Sequence, residues 1–141
     1  MNTEALLNCL QELERANVRG EGSSHYALTR LSKTYTLQDA VVRELSSRGQ
    51  FQERFSLELS QLQSNWRHQV EELVGEWVFG SAKNAQTSLV QNFSKQFITT
   101  FPDYKVYEIL GEGTMLPAEI WSALAITNDH ENWMLEFGWS D

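Results

Sequence analysis

A chain of 141 residues, 41% hydrophobic and 21% charged, fits one ordinary domain that buries about two-thirds of its unfolded surface, and it is too apolar for intrinsic disorder. No run approaches the roughly 18 apolar residues of a membrane span, and a single cysteine, Cys9, excludes an internal disulfide and suits a reducing compartment. The net charge of −8 is segregated: residues 103–141 hold eight acids against Lys105 alone, −7, while residues 1–102 hold eleven acids against ten bases, −1.

Such a field disfavours nucleic acid and anionic membranes and speeds encounter with a basic partner. The opening MNTEALLNCLQELERAN is acidic and lacks a basic n-region, so neither a secretory signal nor a transit peptide is expected, and a cytoplasmic location follows. The sequon Asn92-Phe93-Ser94 then carries no expectation of glycosylation.

Leu6, Cys9, Leu10, Leu13 and Ala16 share one face of a helix from Glu4 to about Asn17, with Thr3 as N-cap and Arg15 at the negative end of the dipole. Cys9 within that stripe reads as a small buried hydrophobe, because no basic or histidine neighbour lowers its pKa. Arg19–Ser24 reads as a flexible loop, and His25–Tyr35 as a short helix resting on Leu28 and Leu31. Thr36-Leu37-Gln38-Asp39 resembles the start of a capping box, opening a helix that Val41, Val42 and Leu45 carry to about Arg48.

From Phe51 to Trp77, apolar residues at 51, 55, 59, 62, 66, 70, 73 and 77 keep one face of a helix apolar throughout. The spacing predicts one long amphipathic helix over about 50–77, roughly 40 Å in length, which could also support a homodimer. Gly49 and the six-residue step from Leu45 to Phe51 predict a break or kink before it. Val78–Gln86 reads as a connector. A further helix runs from about Ala85 to Thr100 on Val90, Phe93 and Phe97, and Phe101-Pro102 ends it.

The remainder alternates with period two. Tyr104–Leu110 is a predicted strand, followed by a Gly-Glu-Gly loop, and Glu119–Thr127 and Asn132–Trp139 are predicted strands around Asn128-Asp129-His130-Glu131. That loop fixes an antiparallel register in which paired positions sum to 259. Ile126 then faces Trp133, Leu124 faces Leu135, Ser122 faces Phe137 and Ile120 faces Trp139, all on one face. The expected fold class is therefore α+β: a single domain over 1–141, with helices over 1–101 packed on a small antiparallel sheet of about three strands over 103–141.

On the opposite face the register sets Trp121 across from Gly138, among Glu119, Ala123, Ala125, Met134 and Glu136. Either this is a binding hot spot, a large ring on shallow ground rimmed by carboxylates, or another helix covers it. The predicted partner-binding residues are Trp121, Glu119, Glu136, Met134, Glu108, Asp129 and Glu131. A strand edge, Trp133–Trp139 or Tyr104–Leu110, could also accept an added strand.

Catalytic signatures fail on inspection. Gly20-Glu21-Gly22 and Gly111-Glu112-Gly113 lack a P-loop lysine and put a carboxylate where phosphate would sit. Asp129-His130-Glu131 is consecutive, without a second histidine or cysteine cluster to complete a metal shell. Pro102-Asp103 is not followed by the Glu-x-Lys of a nuclease site, and His25 beside Ser23 and Ser24 makes no triad. His68 and the acids Glu71, Glu72 and Glu76 read as a solvated helix face. No metal or cofactor and no enzymatic activity are expected. The expected role is an acidic, chaperone-like adaptor or assembly factor that binds a basic protein or peptide segment through its C-terminal sheet. The alternatives are an immunity protein neutralising a basic toxin such as a nuclease, and a small enzyme with a scattered site.

Overall fold

Period-two alternation does build the C-terminal part of the chain. The computed structural model describes residues 3–16, 23–48, 56–63, 66–79, 87–112 and 120–140. Its elements run α1 (Glu4–Arg15), β1 (Ser23–Leu31), α2 (Leu37–Ser47), β2 (Ser56–Gln61), α3 (Trp66–Phe79), α4 (Ser88–Thr100), β3 (Lys105–Glu112), β4 (Ile120–Thr127) and β5 (Asn132–Ser140). β4 and β5 pair antiparallel in the expected register, with Ile126 opposite Trp133, Leu124 opposite Leu135, Ser122 opposite Phe137 and Ile120 opposite Trp139. Their turn is held by Asn128, whose Oδ1 accepts from the His130 and Glu131 amides at 2.8 and 2.7 Å, the local bonding that makes asparagine a turn residue.

The fold is α+β, and its antiparallel sheet has five strands in the order β1-β5-β4-β3-β2, rather than about three. Two stretches read as helical supply the additional strands. Ser23–Leu31 is β1, paired along its length with β5, so His25–Leu31 is strand and Ser23-Ser24 belong to it. Ser56–Gln61 is β2, paired with β3, so the helix expected over 50–77 is not continuous. Only Trp66–Phe79 of that segment and its flank is helical, and residues 51–55 lie outside the described residues. The error has a physical source: Leu59 and Leu62 continue a three-to-four spacing, yet Ser56-Leu57-Glu58-Leu59-Ser60 also alternates strictly, and pairing with β3 decides in favour of the strand. The continuous helix proposed as a dimer element is accordingly absent.

The chain divides into two compact units, Met1–Gly22 with Gln63–Asp103, and Ser23–Leu62 with Tyr104–Asp141. In the first, α1 and α3 both pack on α4. Leu6, Leu10 and Leu13 of α1 are buried, as are Val90, Phe93 and Phe97 of α4 and Val70, Val74, Trp77 and Val78 of α3. Phenylalanines at four-residue spacing stack along α4: Phe93 lies 6.0 Å from Phe97, which meets Phe101 at 5.3 Å and Trp66 at 5.4 Å, distances at which ring quadrupoles attract. Thr87 caps α4 by accepting from the Val90 amide at 3.4 Å. Thr3 precedes α1 without a side-chain cap bond. Val78 and Phe79, expected in a connector, complete α3.

In the second unit α2 lies on one face of the sheet. Thr36 accepts from the Asp39 amide at 3.2 Å, which starts the helix at the predicted place. Ala40, Val41 and Leu45 then pack with Leu31, Ile109, Ala123, Ala125 and Met134. The small side chains of Ala123 and Ala125 allow α2 to seat closely. On the opposite face Tyr26, Val106, Leu124, Ile126, Leu135 and Phe137 are buried, with Tyr26 and Phe137 edge-to-face at 5.0 Å.

Candidate protein-binding surface

The alternation that fixes the register also distributes the predicted binding residues over different surfaces. Trp121, Met134 and Glu136 do share a face, and Trp121 stands opposite Gly138 as expected, but that face is not open. α2 covers it, Met134 and Glu136 are completely buried, and Trp121 is packed against the α2 cluster as a half-buried residue. The shallow alanine and glycine ground is a seat for a helix of the same chain, which corrects the reading of this face as a solvent-facing hot spot.

The covered face explains Glu136. Its Oε1 and Oε2 accept from Arg48 Nη1 at 2.9 and 3.0 Å, and Oε2 also accepts from Trp121 Nε1 at 3.1 Å. Arg48, the C-cap residue of α2, also bonds Thr29 Oγ1 and Glu44 Oε1, each at 3.4 Å. A buried carboxylate is tolerable only when its charge is paired and its lone pairs are occupied, and here both conditions hold. Arg48 carries no signal in the apolar pattern, because its role depends on where the end of α2 meets β5.

The other predicted residues lie elsewhere. Glu108 is half-buried on the opposite face of the sheet, one strand from the β2 edge. Asp129 is exposed in the β4–β5 turn, and Glu131 in the same turn accepts from Trp133 Nε1 at 2.6 Å. Burial, together with Glu131, pushes the neighbouring Tyr104 phenol up. Glu119 lies outside the described residues. The strands offered as edges, Trp133–Trp139 and Tyr104–Leu110, are interior, since β5 lies between β1 and β4 and β3 between β4 and β2. The outer strands are β1 and β2.

β2 brings in residues that periodicity assigned to a helix. Glu58 is exposed on the same face as Glu108, directly across from Leu110, which is 43% exposed. A shallow cleft of about 200 Å³ lies between the β1 end and α2, lined by Arg30, Leu31, Ser32, Ala40, Arg43, Glu44 and Ser47, smaller than pockets that enclose drug-sized ligands. Arg43 stacks on Tyr35 at 3.8 Å, and Lys33 Nζ donates to Asn128 O at 2.6 Å. In the helical unit, buried Glu71 is held by Arg67 Nε at 3.2 Å and Gln91 Nε2 at 2.7 Å, and His68 Nε2 lies 2.7 Å from Glu72 Oε1. The acids there are thus partly engaged within their own helix pair. Among the described residues no group of three or more histidine, cysteine or acidic side chains could hold a metal. Compared with known proteins, the chain matches no family model, no curated protein and no solved structure.

Proposed function

We propose that this chain is a non-catalytic protein-interaction module, an adaptor or assembly factor, whose partner presents a basic segment. One observation carries the reading. Of the acids in residues 103–141 whose side chains are described, Asp103, Glu108, Asp129, Glu131 and Glu136, only Glu136 has a lysine or arginine within ion-pair distance among the described residues. An acidic excess left uncompensated among the described residues favours a partner that supplies the opposite sign.

The test compares charge reversals of equal size. The variant Glu108→Lys/Asp129→Lys and the control Glu12→Lys/Glu76→Lys carry the same net charge. Binding of a labelled lysine-rich peptide is measured by fluorescence anisotropy at low and physiological salt. The first variant is expected to weaken binding at least about tenfold, and the control to leave it within about twofold. Equal losses in both would show attraction to net charge alone and remove the support for a defined basic partner.

A further inference from the structure

The outer strand β2 carries backbone groups whose direction follows from its register. β2 pairs with β3 from Ser56 opposite Glu112 to Gln61 opposite Tyr107, and the ladder continues to Leu62, whose N–H donates to Val106 O at 2.9 Å. In an antiparallel ladder the N–H and C=O of one residue point the same way, and the direction alternates along the strand. With Leu62 aimed at β3, so are Ser60 and Glu58, and the backbone groups of Leu57, Leu59 and Gln61 point outward. Gln38 Nε2 donates to Leu57 O at 2.9 Å from α2, which agrees with that phase. Among the described residues no protein group bonds the outward N–H and C=O of Leu59 or Gln61.

The side chains beside this edge are sorted by face. Leu57 and Leu59 are half-buried against the α2 cluster, which includes Leu37. On the other face Glu58 and Ser60 are exposed, and behind them on β3 lie exposed Leu110, opposite Glu58, and Glu108, opposite Ser60. An unpaired edge is a template for another strand, and proteins commonly blunt it with lysine or proline. Leu57–Gln61 contains neither.

We propose that the β2 edge accepts an extended protein segment by strand addition, and that the segment alternates lysine or arginine with apolar residues. This rests on the basic-partner reading and gives it a place and a register. An added strand would hydrogen-bond the outward groups of Leu59 and Gln61. Its bases would stand beside Glu58 on one face, a direct cross-strand ion pair. A base beside Ser60 would lie about 10 Å from β3, two strand spacings, and its long side chain crosses the small serine toward Glu108. Its apolar residues would continue the Leu57, Leu59 and Leu37 surface. A slip of one residue would place the bases against the leucines, so the edge selects the register as well as the composition.

The intact protein and a fluorescein-labelled peptide alternating valine and lysine provide the test. Two N-methylated versions keep every charge: one blocks the amides that would face β2, the other blocks those that would face solvent. The proposal expects binding by the parent and by the solvent-side analogue, at least about tenfold weaker binding by the β2-side analogue, and a comparable loss in Glu58→Lys. Proline is tolerated where an edge N–H faces outward, so Leu59→Pro should fold, as judged by circular dichroism, and lose the peptide. If both analogues bind equally and Glu58→Lys has no effect, while Glu108→Lys/Asp129→Lys still weakens binding, strand addition is overturned and the basic-partner reading stands. If no lysine peptide binds, both are overturned. Self-association through β2, seen as a dimer in sedimentation that Glu58→Lys dissolves, would also overturn the proposal, because a second copy would then be the occupant.

Discussion

Glu136 and Glu58 lie in one five-stranded sheet, yet they meet opposite fates. Glu136, on the α2 side of β5, is completely buried and held by Arg48 and Trp121. Glu58, on the far side of an outer strand, is exposed and has no ion pair among the described residues. A carboxylate under a helix must be satisfied by its own chain, since water cannot reach it, whereas a carboxylate at an open edge can wait for a partner. Acidic composition therefore divides into charge that holds the fold and charge that lies exposed without an ion pair among the described residues, and burial with hydrogen bonding separates the two.

The largest effect should come from breaking the internal pair. Arg48→Ala leaves Glu136 buried without its counter-ion and is expected to lower unfolding free energy by about 3 kcal/mol, read from urea denaturation; Arg48 is 25% exposed, which keeps the loss at the lower end of the range. Trp121→Phe removes the indole N–H from Glu136 and trims part of the ring packed on the α2 cluster, and should cost about 1–2 kcal/mol, with no effect on binding of the valine–lysine peptide. Losing the Thr36 cap in Thr36→Ala should cost about 1 kcal/mol, because α2 positions Arg48. Thr3→Ala should cost less, since Thr3 makes no side-chain cap bond. Glu58→Gln should change stability by under about 0.5 kcal/mol while weakening the peptide several-fold. A large loss of stability there would erase the contrast with Glu136.

The smallest effect sharpens the same rule in the helical unit. Burial, then Glu12, pushes the Cys9 thiol up. The folded state thus favours the neutral thiol. The associated stability is fully present below the ordinary thiol pKa of about 8.5 and is lost as pH rises through the folded value. Iodoacetamide should label Cys9 more slowly than a free thiol near pH 8, and its rate should rise only at higher pH. Labelling as fast as a free thiol would contradict this.

The parts of the fold visible in the amino-acid pattern are those where one periodicity acts alone. The β4–β5 register followed from two alternating runs joined by Asn128–Glu131, and the α2 start followed from Thr36. Ser56–Gln61 satisfied helical and strand spacing at once, and only its pairing with β3 resolves it. Ser23–Leu31 buries Tyr26 on one face and Leu31 on the other, so no single stripe announces a strand. Alternation places Trp121 and Glu136 on one face, but the helix over them is a tertiary fact. Arg48 and the β2 edge were illegible for the same reason, because each acquires its role from residues distant in the chain.

Amide hydrogen exchange at β2, measured with and without the valine–lysine peptide, tests the central claim most directly. Leu59 and Gln61, whose N–H groups point outward, should gain protection on binding, while Ser60 and Glu58, already aimed at β3, should change little. Protection that appears elsewhere and leaves Leu59 and Gln61 exchanging at the free rate would contradict the account.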